Sequence, residues 1–549
     1  MLMVVISSIL GLVRQRVLAY FFVPSDLALF FAAFRLPDTI FEVLVYGTFS
    51  SAFIPVFTRS LKKGNKKAWE VAGTVTNIGL ILYLVFVAIV FFWTDKIYSV
   101  LAPGFTPFER QKIVGMARIL FASEGFFIVS YVLTGVLESL RRFLVPALAP
   151  LFYNLGIILG TAIFSQSMGL TAPALGVFIG ASLHFLIQFP LATKLGFRFS
   201  PRIKVTEDVK AIGKLAAPRV IELSVTQVVE GVQLFLASLI SKAAYTYFIF
   251  GNTLQVFPVA LFGTSIAKAA LPTLSRQVDT PSEFRKTLLR ALYQMIFAIL
   301  PIATVLAVLR IPIVRLVYGT NIFTWEATVQ TGMVLSAFAF GIVFQAAAGL
   351  LARGFYALHD TKTPVIISVG SLILNIILDF VFIKGFGLPA WGLALGFSLG
   401  NAIQASALYW FLTKRIDGYS QLKTFIPIAK AIVASVASGF VMYIVLRIFD
   451  KSAWVKRLSF LGKIDIAKNI PFEKFVLDTQ YTINLLILTI FVCAIGALVY
   501  ILISLILRNE ELWDFVRLIR RLITKRLGIG IPAKEPEPVA PSPTDSRTP

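Results

Sequence analysis

Residues 47-GTFSSAFIPVFTR-59 return half a chain later as 263-GTSIAKAALPTLSR-276. Gly47-Thr48 pairs with Gly263-Thr264, Pro55 with Pro272, and Thr58-Arg59 with Ser275-Arg276. An offset of about 218 residues also aligns Pro146 with Pro364 and Gly169-Leu170 with Gly387-Leu388. After a two-residue slip, Gly176 and Gly180 meet Gly396 and Gly400. The pairs keep their order, so the chain contains an internal repeat. Each copy holds six apolar segments, an even number, so both copies have the same orientation. They are parallel repeats about an axis along the membrane normal. Small residues four apart in each copy allow close helix packing.

Composition explains why those segments are membrane spans. Of 549 residues, 57% are hydrophobic and 14% charged, with mean hydropathy +0.83. Soluble domains carry about a quarter charged residues, so a soluble enzyme, a disordered chain and a secreted disulfide scaffold are excluded. One cysteine, Cys493, forms no internal disulfide, and His184 and His359 cannot build a His-rich metal site. A spanning helix needs about 20 mostly apolar residues. Fourteen stretches qualify: 1–22, 27–57, 71–94, 113–138, 143–165, 170–193, 209–240, 243–275, 288–317, 325–352, 362–383, 389–413, 424–449 and 482–507. The expected fold is an all-α polytopic membrane protein of two six-helix lobes with two extra C-terminal helices. The N-lobe covers 1–193, a cytoplasmic linker 194–208 and the C-lobe 209–415. Residues 416–507 hold the last two spans around an external loop, 450–481; 508–530 read as a cytoplasmic amphipathic helix, and 531–549 as a disordered Pro-rich tail.

The formal charge of +23 would suggest nucleic acid on a soluble protein. Here the basic residues lie between apolar runs, so they belong to loops facing anionic lipid headgroups, with no nucleic-acid partner. Arg59, Lys62 and Lys63 follow span two, Arg141 and Arg142 span four, Lys194 and Arg198 span six, and Lys414 and Arg415 span twelve. The alternate loops 22–26 and 165–172 carry no Lys or Arg. Both termini are therefore expected in the cytoplasm, the lysines of 450–481 being the exception. Span one contains Arg14 and Arg16 and lacks a small-residue cleavage site, so no cleavable signal peptide is read.

Ionisable residues inside spans cost roughly 2.5–3.5 kcal/mol on insertion scales and are functional candidates, unless they snorkel from helix ends. Arg14 and Arg16 lie about 200° apart around a helix, so at most one looks directly into a cavity. Arg35, Asp38 and Glu42 flank Pro37, and Arg35 and Asp38 are spaced to pair along the helix. Span seven carries Arg219, Glu222, Gln227, Glu230 and Gln233; Arg219 and Glu222 are spaced to pair, whereas Glu230 has no same-helix cation. In 375-NIILD-379, Asn375 and Asp379 share a face. An amide oxygen beside a carboxylate suits Na⁺ or a proton, and equally an Asp bonded to neighbouring helices. Glu124 and Lys268 are lone charges without an assigned role, and His184 reads as a hydrogen-bonded packing residue. A membrane glycosyltransferase would want external acids for metal or base work, and the first external loop offers only Asp26. No phosphate-binding glycine loop, nucleophile elbow or metal-ligand spacing occurs.

Several motifs resemble the bacterial lipid II flippase family (MurJ, also called MviN) of the multidrug/oligosaccharidyl-lipid/polysaccharide exporter superfamily. They are 11-GLVRQRVLA-19, 30-FFAAFRLPD-38, 47-GTFSSAFIPVF-57, 102-APGF-105, 142-RFLVPALAP-150, 254-LQVFP-258, 318-YG-319 and 354-GFYALHDTKTP-364. The resemblance implies fourteen helices and a flippase that moves the undecaprenyl-pyrophosphate-linked headgroup of lipid II between leaflets by alternating access. It further implies a bacterial inner-membrane monomer without catalytic activity. A cationic cavity would hold the pyrophosphate, because arginine grips phosphate oxygens bidentately and stays charged. Arg14, Arg16 and Arg35 are the expected substrate contacts.

The family's charges are replaced at several positions. The acid after Arg14 is Gln15, an arginine falls at Ser8, an acid at Ala28, an arginine and a Glu at Phe41 and Tyr46, and the span-eight arginine at Thr253. The family's Na⁺ pattern matches Asn375 and Asp379, with the span-seven acid aligned at Gln233 and Glu230 one turn earlier. Rival readings are a flippase for another polyprenyl-linked glycan and a multidrug antiporter. The antiporter would want an acid-dominated cavity.

Overall fold

The computed structural model describes residues 2–46, 53–198, 202–416, 421–450 and 481–517. The tail 531–549, residues 518–530, nearly all of loop 450–481, Gly47-Thr48 and the side chains of Tyr46, Arg219 and Glu222 lie outside the described residues. What is described is helical. In the first half come α1 (Leu2–Phe21), α2 (Pro24–Phe41), a π turn (Glu42–Tyr46), α3 (Ile54–Lys62), α4 (Asn65–Leu101), α5 (Pro107–Ser139), α6 (Leu144–Met168) and α7 (Thr171–Lys194). In the second come α8 (Glu207–Ile240), α9 (Ala244–Pro258), a π turn (Val259–Thr264), α10 (Ser265–Arg276), α11 (Pro281–Val308) and α12 (Arg310–Tyr318). They continue as α13 (Trp325–Ala357), α14 (Lys362–Phe380), a π turn (Val381–Gly385) and α15 (Trp391–Arg415), followed by α16 (Gln421–Phe449) and α17 (Thr482–Ile506). Eleven of these rods are long and apolar enough to cross a membrane. With α1, α2–α3 and α15 they are compatible with fourteen spans.

The repeat is written into the backbone. Arg141 and His359 are both non-glycine residues at φ +59°, one just past α5 and the other just past α13. Their successors close the helices alike, with Arg142 N donating to Leu137 O (2.8 Å) and Asp360 N to Phe355 O (3.0 Å). Gly169 and Gly387, also repeat partners, both take positive φ, +54° and +65°. A π turn at Glu42–Tyr46 ends just before Gly47 in the chain, and one at Val259–Thr264 contains Gly263-Thr264, so the second rod of each half is interrupted near corresponding positions.

Prolines inside helices leave carbonyls that must be satisfied in hydrocarbon. Pro37 releases the Ala33 carbonyl, and the Tyr98 hydroxyl of α4 donates to it (2.8 Å). Pro301 releases Phe297 O, which accepts from the Tyr500 hydroxyl of α17 (2.9 Å). The helix over 510–517 docks on α11, where Asp514 accepts from Arg290 Nε (2.9 Å), Arg290 Nη2 (2.8 Å) and Gln294 Nε2 (2.8 Å). Arg290 holds the Asp514 carboxyl down at about 2, with Gln294 and Arg517 assisting.

In the first half, α6 and α7 cross at glycines. A Cβ on Gly156 would fall on the Gly180 backbone, and one on Gly160 on Gly176. Gly180→Val therefore forces the helices apart, an overpacking cost of at least ~1–3 kcal/mol. Its melting temperature in detergent should fall by several degrees, whereas Gly115→Ala, with open space around it, should not lower it. For the docked helix, the folded carboxyl titrates below the ordinary value of about 3.9. Its contribution is thus complete above that pH and lost as pH falls toward 2. Hydrogen exchange at 510–517 should rise over that window in wild type and be high already at neutral pH in Asp514→Asn.

Candidate functional site

On α2 and the π turn after it, Arg35, Asp38, Thr39 and Glu42 recur at steps of three and four and share a face. That face meets α8. Arg35 Nη1 pairs with Glu230 Oε2, and Arg35 Nη2 donates to Gln227 Oε1. Thr39 Oγ1 also donates to Gln227 Oε1 (3.2 Å), and Gln227 Nε2 donates to Glu42 Oε2 (3.2 Å). A single network thus joins the two halves. The Arg35 side chain is 8% exposed and that of Glu230 43%, because Glu230 opens onto a cavity.

The cavity, about 300 Å³, is lined by Arg14, Gln15, Phe31, Arg35, Asp38, Tyr153, Glu230, Tyr245 and neighbouring apolar side chains. It lies between the halves, drawing on α1, α2 and α6 from one and on α8 and α9 from the other. Its ionisable lining is two arginines and two acids, so the uniformly positive surface expected from the family is not formed. Among the described residues Arg14 makes no ion pair or hydrogen bond, which leaves it as the cation available to an anion. Arg16 is turned away: its Nη1 donates to the carbonyls of Leu316 and Val317 (3.2 Å to the latter), satisfying the C-terminal end of α12. The expectation of Arg16 as a substrate contact therefore meets a residue already committed elsewhere. Lys268 is exposed on α10, and His184 is buried against Ser130 (2.6 Å from its Oγ) and Gln188.

Two departures from the family pattern touch each other. Gln15 Nε2 donates to Thr253 Oγ1 (2.9 Å), and the Tyr318 hydroxyl donates to Gln15 Oε1 (3.3 Å). At these two positions, where the resemblance leads to the expectation of an acid and an arginine, the chain thus forms a neutral contact between its halves. Phe41, where the family has arginine, instead packs on Phe127 and Tyr131, with ring centroids 5.9 and 5.3 Å apart. Ala28 is fully buried.

A second polar group lies on α14. Asn375 and Asp379 are buried, Asp379 completely, and Gln233 of α8 sits beside them with Nε2 3.5 Å from Asn375 Oδ1. Both Asp379 oxygens and Asn375 Nδ2 lack a hydrogen-bond partner among the described residues. Gly396 and Gly400 of α15 make room for them: a Cβ on Gly396 would strike the Asp379 carboxylate, and one on Gly400 would lie 3.5 Å from Asn375 Cβ. These donors fit a hard monovalent cation or a proton, since a bare carboxylate is costly to bury. Glu230, expected as a possible ligand, does not join them because Arg35 occupies its carboxylate. In the sequence Gln227 reads only as a polar residue of span seven, and Gln15 and Thr253 only as departures from the family pattern; none of the three is expected there to bridge the halves. The spacing of Arg35, Thr39 and Glu42 was the available sign of a polar partner helix.

The halves are also tied by Lys242 Nζ to Glu109 Oε1 (2.6 Å), Thr246 Oγ1 to Pro24 O (2.6 Å) and Gly104 N to Ser238 Oγ (3.2 Å). Ligand pockets run roughly 300–1,000 Å³. This cavity lies at the low end of that range.

Comparison with known proteins agrees with this architecture. A solved lipid II flippase MurJ in an inward closed conformation superposes with TM-score 0.73 at 24% identity, covering 92% of this chain and 98% of that one. A multidrug resistance MATE family transporter of the MOP superfamily, inward-facing, gives 0.63 at 15% identity, covering 76% of this chain and 95% of that one. A probable lipid II flippase MurJ of Vibrio cholerae is 30% identical over 430 residues, 74% of this chain and 80% of that protein. One from Thermotoga maritima is 27% identical over 513 residues, 93% and 96% of the two chains. The family model described as lipid II flippase MurJ matches residues 17–464. The chain is a multi-pass membrane protein and belongs to the lipid II flippase MurJ family.

Proposed function

We propose that this chain carries lipid II, an undecaprenyl-pyrophosphate-linked disaccharide-pentapeptide, from the inner to the outer leaflet by alternating access. Unpaired Arg14, in a cavity between the halves, supports this reading most directly. A pyrophosphate cannot cross hydrocarbon unaided, and an arginine in a low-dielectric cleft replaces its water with charge-assisted hydrogen bonds. The polyprenyl tail never needs to leave the lipid. Arg35 is the reserve cation: a phosphate that displaces Glu230 gains a second fork. The inside-negative potential favours outward movement of an anion by about 2.3 kcal/mol per charge per 100 mV. Both termini lie in the cytoplasm in this scheme, the basic loops face anionic headgroups, and one chain suffices. The two lobes are residues 1–193 and 209–415, joined by 194–208.

Asn375, Asp379 and Gln233 would hold Na⁺, whose charge would neutralise the buried carboxylate. A flippase for another polyprenyl-linked glycan is the second reading. Neutral Gln15 and Thr253 and aromatic Phe41 favour keeping it, because they remove charges the family places near the substrate.

Arg14→Ala should abolish growth support in cells depleted of their own lipid II flippase, and Arg14→Lys should restore only part of it. Full growth with Arg14→Ala would remove Arg14 from the mechanism. Native mass spectrometry of the purified protein should find lipid II bound; a different glycolipid would select the second reading. For the ion, Na⁺ should raise the melting temperature of wild type relative to K⁺ and leave that of Asp379→Asn unchanged. Equal shifts in both would exclude the α14 site.

A further inference from the structure

Two loops that take no part in the cavity or the α14 group are repeat partners. Residues 102–106 join α4 to α5, and 319–324 join α12 to α13. The 218-residue offset sets Phe105 on Phe323 and Thr106 on Thr324. Both phenylalanines are buried, and both threonines cap the helix that follows, accepting from Glu109 N and Ala327 N. Each loop crosses to the other half and lands near the end of its first rod. Thr320 Oγ1 donates to Ala19 O on α1 (2.8 Å), and Gly104 N donates to Ser238 Oγ on α8 (3.2 Å). Under the same offset Ala19 and Ser238 correspond to within one residue. The grip is reciprocal.

The two contacts differ in how closely the backbones approach. A Cβ on Gly104 would fall on the Ser238 carbonyl, and one on Gly231, two turns earlier on α8, would lie 3.3 Å from Leu101 Cδ1. Gly104 takes no positive φ, so its own turn does not demand glycine. The demand comes from the opposite half. We propose that the two loops are paired clasps of a gate between the halves, and that Gly104 is the positioning residue that lets the gate shut.

A methyl group at position 104 meets an obstacle only while α8 lies against the α4–α5 loop. Parting the halves removes the clash, so the substitution acts on the shut arrangement alone. The other ties across this seam can be broken at modest cost. Lys242 Nζ reaches Glu109 Oε1 (2.6 Å) with its own side chain more than half exposed, and such pairs contribute little. Glu109 also accepts from Thr106 N (2.8 Å), closing the α5 capping box, so it stays in place when the lysine leaves. Thr246 Oγ1 adds one hydrogen bond, to Pro24 O (2.6 Å). This assignment rests on the alternating-access reading and is independent of which glycolipid is carried and of any ion at Asp379.

Pulsed electron paramagnetic resonance on the full-length protein tests it, with spin labels on Gln111→Cys and Glu326→Cys in a Cys493→Ser background. Both labelled positions are exposed, one in each half. Wild type should favour the shorter of two distances. Gly104→Ala should shift the ratio toward the longer one by roughly tenfold, and Gly115→Ala, with open space around it, should leave the ratio as in wild type. A lower melting temperature of Gly104→Ala with the two-distance ratio unchanged would overturn the gate and leave alternating access standing. A single distance common to wild type and every variant would overturn both. Should Gly104→Ala fail to fold, the double variant Lys242→Ala/Thr246→Val, which removes two ties without adding bulk, decides: a gain in the longer distance supports the gate, and an unchanged ratio overturns it.

Discussion

The contact between Arg35 and Glu230 is the constraint from which the rest of the interior follows. An arginine this deep in a spanning helix is tolerated only if another charge meets it, and its own helix offers Asp38 one turn away. The structure uses the opposite half instead. Removing either partner leaves a charge uncompensated inside the protein, a cost moderated by the opening of Glu230 onto the cavity. The same cost resists separation of the halves unless something else takes over Arg35. An anionic headgroup is such a substitute, and so is Asp38. A lock whose key is a competing charge is what an alternating-access carrier requires, because the halves must stay together when empty and yield when loaded.

Duplication supplied the frame, and divergence supplied the chemistry. In the first half, Gly156 and Gly160 of α6 lie against Gly180 and Gly176 of α7, backbone to backbone. In the second half, Asn375 and Asp379 of α14 lie against Gly400 and Gly396 of α15. The same crossing is thus dry and tight in one half and polar in the other, where glycines give up space to an amide and a carboxylate. In the first half the ionisable groups of the interior sit on α1, α2 and α5. Equivalent scaffolds in the two halves thus carry different polar groups.

Neutral residues near the cavity make contacts of their own: Gln15 and Thr253 face each other across the two halves and share a hydrogen bond at 2.9 Å. Phe41 joins an aromatic cluster with Phe127 and Tyr131. Each replacement is locally complete, and the net effect is a cavity where Arg14 is the cation left over.

Much of this was legible in the linear chain. Apolar length marked the spans, and the paired Gly, Pro and Thr-Arg positions marked the repeat, because a duplicated fold must repeat its turns; Arg141 with His359 and Gly169 with Gly387 keep the same left-handed backbone. Helical geometry alone also dictated that Arg14 and Arg16 point apart. Which of them faces the cavity was beyond that reading. It depends on α12, a short helix some 300 residues away, whose terminal carbonyls claim Arg16. The partner of Arg35 was likewise open, since a cation in hydrocarbon takes whichever anion the packing brings nearest, and spacing along one helix says nothing of the helix opposite. Local order and membrane insertion are properties of consecutive residues. The pairing of charges between rods is decided only when the rods are assembled.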